Sequence, residues 1–346
     1  MSELTDEQHG LRDAVRTLLA KRSDSAAVRR IVTEPAGYDV ELWKVLCEQI
    51  GVAALAVPER FGGAGAGRRE VQVVMEELGR TLTPAPILGS VLAASVLLAL
   101  DDADASARLL PRIAAGAIAA VAWADATGRW AEGAVTADGD RLTGEAHYVL
   151  DGDGAEIVLV VAGGAVYEVE PASVVRTHTP TMDLTRRLAR VRLDGVPGTR
   201  IGPADAAPRL ATALDDAVVV LTAEQVGAAA AALEITVEYT KLRHQFGRPI
   251  GSFQVLKHRM ADLHVLLEAA RSAAYAAGDG ALHPSVAKVY CSEAFQSIAA
   301  EMIQLHGGIA ITWEHDAHLY FKRAHGSTAL FGSPSAHLRR LEREVK

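Results

Sequence analysis

Arg243-His244-Gln245-Phe246-Gly247-Arg248-Pro249-Ile250-Gly251-Ser252-Phe253-Gln254 is the most informative stretch of the chain. A guanidinium leaving a helix end, followed by an aromatic and a glycine, can pair with a diphosphate and leaves room for a ligand to approach. The same composition also serves as a helix–helix connector with solvated charge. The neighbouring sequence decides which arrangement the stretch belongs to.

Upstream, one helical pattern runs over residues 208–242. Downstream, helices are predicted over 253–277 and 284–306, then a Gly307-Gly308 loop and two short helices with Lys and Arg in the final turns, as the helix dipole favours. Residues 3–110 are also helical in pattern, with apolar positions three and four apart at Leu11, Val15, Leu18 and Leu19 and again at Val71, Val74, Met75 and Leu78. Pro58, Phe61-Gly62-Gly63-Ala64-Gly65, Pro84 and Pro86 punctuate those helices.

Between residues 118 and 193 the pattern changes. Short β-rich runs are predicted as strands at 118–123, 134–137, 147–150, 157–162, 166–169 and 188–193. Asp-Gly pairs at Asp138-Gly139, Asp151-Gly152, Asp153-Gly154 and Asp194-Gly195 tolerate the positive φ that hairpin turns require, so they mark a small antiparallel β domain. The expected class is α+β: an N-terminal helical domain (1–115), a middle β domain (116–203) and a C-terminal helical bundle (204–346).

The 346 residues carry 35 Lys+Arg against 43 Asp+Glu, a formal net charge of −8 without basic runs, which argues against a nucleic-acid partner. At 49% hydrophobic and 23% charged the chain can bury a core, and with only 5% aromatics that core must be aliphatic and alanine-rich. Residues 1–10 lack a signal-peptide core, and the longest apolar candidate, 91–100, falls short of the roughly 20 residues of a bilayer span. Cys47 and Cys291 show neither metal-ligand spacing nor a paired framework. A cytoplasmic protein without membrane partners is expected.

Together with the helix–β–helix order, the Arg243 run resembles the acyl-CoA dehydrogenase family, which carries Arg-x-x-Phe-Gly followed by a Gln at the start of the next helix. Gln304-Leu305-His306-Gly307-Gly308-Ile309 matches the family's Gln-x-x-Gly-Gly turn, although Gly-Gly after a helix is by itself only a C-cap. Val57-Pro58-Glu59-Arg60-Phe61-Gly62-Gly63 and Glu76-Glu77-Leu78-Gly79-Arg80 resemble two N-terminal elements of the same family. The resemblance implies FAD as cofactor and an acyl-CoA as substrate. It places Arg243, Gln245, Phe246 and Gln254 on the pyrophosphate and adenine side of FAD, with Gln304, Gly307 and Gly308 closing the site across a subunit interface. It further implies a homo- or hetero-tetramer with another acyl-CoA dehydrogenase chain, and an electron acceptor such as an electron-transfer flavoprotein.

The family reaction removes an α-proton with a shielded carboxylate while the β-hydrogen leaves as hydride. Where the commoner arrangement has Tyr-Glu-Gly, this chain reads Leu330-Phe331-Gly332, and Phe331 cannot accept a proton. The second arrangement brings Ala217 to the base position, and a shift of one residue would make Asp216 the base. Asp215 and Asp216 read equally as acidic residues favoured by a helix dipole, and Glu224 is a further carboxylate with poorer spacing. In the β domain, the family's Gly-x-Lys-x-Trp-Ile-Thr-Asn is replaced by Gly144-Glu145-Ala146-His147-Tyr148-Val149-Leu150-Asp151, with Tyr148 as the substitute aromatic and no hydroxyl at Leu150. The preceding segment, 123–133, lacks the family's Glu-Pro-x-Ala-Gly-Ser-Asp loop.

A chain that keeps the residues reaching toward a neighbour's FAD while losing those around its own flavin ring is expected either to dehydrogenate acyl-CoA within an assembly or to serve as a non-catalytic accessory subunit. Such pairs occur among actinobacterial enzymes acting on steroid side-chain thioesters, and the run from Trp313 through His315 and His318 to Arg323 resembles that subgroup. Taken alone, the run is an amphipathic helix whose histidines read as surface or interhelical hydrogen-bonders. A third reading keeps the fold but uses the flavin as an oxidase or biosynthetic desaturase would.

Overall fold

Small polar residues ahead of apolar-periodic runs start the N-terminal helices. Thr5 accepts from the Gln8 amide while the Gln8 side chain reaches back to the Thr5 amide, a capping box that opens α1 (Asp6–Arg22). α2 (Ser25–Ile31) follows, then α3 (Val40–Val45), capped by Asp39, α4 (Arg68–Arg80), α5 (Ile87–Leu100), and α6 (Ala103–Ala114), capped by Asp102. The computed structural model describes residues 4–130 and 134–345. Residues 1–3 of the polar start, the last three of the 123–133 segment and Lys346 lie outside the described residues.

Seven strands form the middle sheet: β1 (Ala119–Ala122), β2 (Val135–Asp138), β3 (Arg141–Leu150), β4 (Ile157–Ala162), β5 (Ala165–Val169), β6 (Val175–His178) and β7 (Leu188–Ile201), in the order β1-β4-β5-β7-β3-β2 with β6 also on β7. Every pairing is antiparallel except β1 with β4, which is parallel. The fully apolar β4 is buried along its whole length, as a strand covered on both faces must be. Asp194-Gly195, expected as a hairpin turn, instead lies inside the 14-residue β7. Leu142 pairs Val196 and Gly144 pairs Leu193, so the pair adds one residue to β7 and makes a bulge there.

The C-terminal half contains α7 (Ala207–Leu242), a two-residue hairpin of β8 (His244–Gln245) and β9 (Arg248–Pro249), α8 (Gln254–Gly278), α9 (Pro284–His306), α10 (Ala317–Ala329) and α11 (Pro334–Val345). The expectation that no apolar run approaches bilayer length is corrected at α7: it is long and apolar enough to span one, but 89% of its most apolar window is buried inside the protein. The aliphatic residues 218–221, Val226, Leu233 and Ile235 give it that apolar character, and the alanines among them let neighbouring helices approach.

Two compact units divide the described residues. The first gathers Met1–Arg29, Gln72–Thr83 and Val219–Lys346. Its core interleaves the α9 stripe Cys291, Ala294, Phe295, Ile298, Ala299 and Met302 with Leu263, Leu267, Ala270 and Ala274 of α8. At one crossing a Cβ on Gly227 would collide with the Glu76 carbonyl and a Cβ on Gly79 with that of Glu224, so backbones touch where the sequence reads Glu-Glu-Leu-Gly and Val-Gly. Lys288, fully buried, donates to the Ser327 and Thr328 carbonyls at 2.7 and 3.2 Å, placing its cation at the α10 C-terminus where the helix dipole welcomes it. The second unit, Arg30–Val71 and Pro84–Val218, holds the sheet, and Ser90 of α5 accepts from the Ala119 amide at the start of β1.

Candidate functional site

In the first unit, α7 ends at Leu242 and the chain turns at once through the β8–β9 hairpin. Gln245 pairs Arg248, leaving Phe246 (φ 52°) and Gly247 (φ 77°) as the two turn residues, both in the left-handed region of a type I′ turn. Such a conformation costs a bulky L-residue about 1–2 kcal/mol, and Phe246 is moreover 90% exposed. Its only recorded ring contact is an edge-to-face approach to Phe253 at 6.1 Å, while the Arg248 guanidinium covers the Phe253 ring at 4.0 Å. Arg243, Gln245 and Gln254 are all exposed on this end of the bundle. The sequence placed a loop here; the hairpin is the finding.

Gln304 lies in the last turn of α9, and Gly307 follows with φ 63° and ψ −146°, a backbone that only glycine adopts readily. Gly308 has no positive φ, and a Cβ built on it would meet nothing within 4 Å. Neither backbone strain nor packing within the chain therefore asks for glycine at 308. Both glycines and Gln304 are exposed.

Tyr239 ties these two segments together. Its ring stacks on His306 at 4.2 Å and its hydroxyl donates to the His306 carbonyl at 3.2 Å, while its own carbonyl accepts from the Arg243 amide at 2.9 Å. The last turn of α7 and the last residue of α9 thus bring the Arg243 hairpin and the Gly307-Gly308 turn to one end of the bundle. Sequence reading missed Tyr239 entirely; its position one turn before Arg243 was the available signal.

The carboxylates occupy very different settings. In the second unit, Asp216 pairs with Arg68 at 2.6 Å and keeps a quarter of its side chain exposed. Burial raises its pKa and Asp215 adds to the rise, with Arg68 opposing both. Ala217 is fully buried. In the first unit, Glu224 is buried in an ion pair with the equally buried Arg323, an arrangement that fixes a helix contact and leaves no free base. Phe331 is only 1% exposed, has φ 59°, and its carbonyl accepts from His337 Nε2 at 3.0 Å. The position of the commoner family base is therefore filled by packed hydrocarbon. Both thiols, Cys47 and Cys291, are pushed by burial up to about 12, too high for a nucleophile.

The β-domain positions that the resemblance sets against the flavin ring are filled by the chain itself. Between Ala146 and Val149 the β3–β7 register slips, so His147-Tyr148 bulge out, with Tyr148 at φ 54°. The bulge aims the Tyr148 hydroxyl at the Ala126 carbonyl, 3.3 Å away. The loop it meets closes on itself: Asp125 accepts from the Thr127 hydroxyl first of all, then from the Arg129 and Thr127 amides and the Arg129 guanidinium, which hold its carboxyl far below the usual range. Trp123 packs edge-to-face on Trp130 at 5.6 Å. Leu150 is buried and apolar where the family presents a hydroxyl.

Fold and order of motifs define a flavoprotein dehydrogenase architecture, and the comparisons agree. The chain belongs to the acyl-CoA dehydrogenase family: the N-terminal domain of that family matches residues 5–117 and the C-terminal domain residues 208–346. It is 45% identical to the acyl-CoA dehydrogenase IpdE2 of Mycobacterium tuberculosis, over 98% of both chains. Among solved structures it is similar to the Tcur3481-Tcur3483 steroid ACAD (31% identity, TM-score 0.89, 98% of each chain) and to the ChsE4-ChsE5 complex of M. tuberculosis (29% identity, TM-score 0.90, 100% of this chain and 99% of that one).

The residues present fit one half of an FAD site. Gly308, with open space where a Cβ would stand, leaves room for an adenosine–diphosphate moiety beside exposed Gln304 and the Arg243 hairpin. The flavin-ring half does not fit: Leu150 offers no hydroxyl and Tyr148 is committed to its own loop.

Proposed function

We propose that this chain is the accessory subunit of a heteromeric, FAD-dependent acyl-CoA dehydrogenase in the cytoplasm. It completes the adenosine–diphosphate side of an FAD whose ring and catalytic carboxylate belong mainly to a second, flavin-holding chain. The single observation that carries this reading is the contrast between Gly308, glycine for no reason internal to the chain, and Phe331, packed hydrocarbon where the family keeps its base. FAD, when bound, supplies the acceptor for the β-hydride of the acyl-CoA, and an acceptor such as an electron-transfer flavoprotein takes the electrons onward.

Arg243 offers a planar fork to the diphosphate, and Gln245 and Gln254 offer amide donors beside it. Phe246 presents an apolar face that assembly would cover, recovering about 1.5–3 kcal/mol against the strain of its turn. Gln304, Gly307 and Gly308 admit the adenosine end. The steroid description of one relative supports a bulky polycyclic acyl group.

A second reading is favoured by one observation, the raised pKa of the half-buried Asp216. In it the chain is a self-sufficient homo-tetramer with Asp216 as base, obliged to break its pair with Arg68 during proton abstraction. Capture of the tagged chain from its own cells, followed by native and intact mass measurement, separates the two. The accessory reading expects two chain types with fewer FAD than chains. A homo-oligomer carrying one FAD per chain would refute it.

A further inference from the structure

His306 is buried, and three neighbours position its ring. Nδ1 lies 2.7 Å from the Met302 carbonyl, an acceptor, so Nδ1 carries the proton and Nε2 holds a lone pair. Nε2 is buried and has no hydrogen-bond partner among the described residues. One face of the ring stacks on Tyr239 at 4.2 Å, and His315 approaches at 4.4 Å with a 50° tilt. The His315 Nδ1 accepts from the Ala317 amide at 3.1 Å, which fixes its tautomer as well. Gly307, immediately after His306, holds a glycine-only backbone, and the carbonyl joining the two residues is the one Tyr239 hydroxyl donates to.

We propose that His306 is the positioning residue of the 304–308 turn, and that it holds the turn only as a neutral imidazole clamped by Tyr239 stacked on one face and by His315 set at about a right angle to that stack. Its functional weight rests on the cofactor-facing reading above, whereas the clamp is a property of this chain alone and is tested on it.

The surroundings supply the physical reason. A proton on Nε2 would create a buried donor with no acceptor. The charged and titratable groups facing the cluster are Tyr239 of α7, His315 and Asp316 of the loop, Arg29 of α2, and His318 and Lys322 of α10. The only anion among them, Asp316, is already engaged by Arg29 and Ser25. Burial and the neighbouring histidine lower the His306 pKa, and His315 and His318 are lowered too. His318 adds two more buried ring nitrogens without partners among the described residues, in a T-shaped contact with Trp313 at 4.6 Å. The whole cluster is therefore built for the neutral state. On acidification the clamp must open to solvate the new charge, and the turn moves with it.

The test is an NMR titration of the full chain, labelled at glycine amides and histidine rings, from pH 8 to pH 5. The expected result is that Gly307 and Gly308 shift with the same midpoint as His306, below the ordinary 6.5 of histidine. His306→Gln keeps an amide that can donate to the Met302 carbonyl but cannot titrate, so it should hold the two glycine signals at their high-pH positions throughout. Tyr239→Phe, which removes the hydroxyl donated to the His306 carbonyl, should displace them at every pH. Glycine signals that stay fixed while His306 titrates would overturn the proposal. So would a His306 midpoint at or above 6.5, or an H306Q variant that titrates like the parent. The parent titration decides the matter even if a variant fails to fold.

Discussion

The resemblance gives the bundle end and the 144–151 segment of the β domain two different parts of FAD to hold, yet here one faces outward and the other is closed. At the bundle end, Phe246 is exposed in a strained turn and Gly308 borders empty space. In the β domain, Tyr148 reaches its own loop and Leu150 is buried. Side chains that satisfy themselves need nothing from outside, whereas strain and missing bulk without an internal cause point to something that comes from outside. The difference supports the proposal that this chain completes a site more than it contains one.

The largest expected effect separates structural from ligand-facing residues inside the bundle. Arg323→Leu takes the guanidinium away from the buried Glu224 carboxylate and should cost about 3–5 kcal/mol, seen as a drop in chemical-denaturation midpoint. Gly227→Ala sharpens the contrast between glycines: it forces a methyl against the Glu76 backbone and should destabilise by about 1–3 kcal/mol. Gly308→Val should leave the chain's thermal midpoint within a degree or two, because nothing lies within 4 Å, yet lower FAD retention of the assembly at least tenfold. A Gly308→Val assembly with full flavin would break the comparison at its open end.

The β domain offers a pH-dependent test. Burial, reinforced by Asp153, pushes Asp151 up to about 7, with Arg186 and Arg187 opposing. A carboxyl raised in the folded state contributes stability that is fully present below about pH 4 and is lost as pH rises through 7. Asp151→Asn should therefore raise the melting temperature at pH 8, by an amount equivalent to about 1–2 kcal/mol, and change it little at pH 3.5. A gain of the same size at both pH values would mean that charge burial is not the cause. The smallest effect belongs to the hairpin: Phe246→Asn, at home with φ 52°, should stabilise the isolated chain by about 0.5–1 kcal/mol while weakening assembly, as denaturation and native mass would show.

What could be read from sequence was local. The 157–162 strand and the 284–306 helix match their observed bounds because a buried apolar run and a Pro-opened, His-ended helix carry their own signals. The Arg243 and Gln304 motifs were legible for the same reason. The rest depends on partners distant in the chain. Arg68 finds Asp216 across nearly 150 positions of sequence, a pairing that no spacing rule announces. The parallel β1–β4 pair, the absorption of Asp194-Gly195 into β7 and the Tyr239–His306 stack likewise arise from tertiary packing that overrides local turn and helix preference. α7 departs in the opposite direction: the sequence reading expected no run near bilayer length, yet α7 is the one described helix that passes for a membrane span by length and hydropathy, while its apolar window is packed inside the protein.

The central claim is that this chain supplies one half of a flavin site. The direct measurement is the flavin-to-protein ratio, by absorbance, of the chain purified alone in the presence of excess FAD, with native mass taken on the same sample. The account predicts a ratio near zero, and flavin uptake only when a flavin-holding acyl-CoA dehydrogenase chain from the same cells is added. A ratio near one in a homo-oligomer would contradict it and return Asp216 to the role of base.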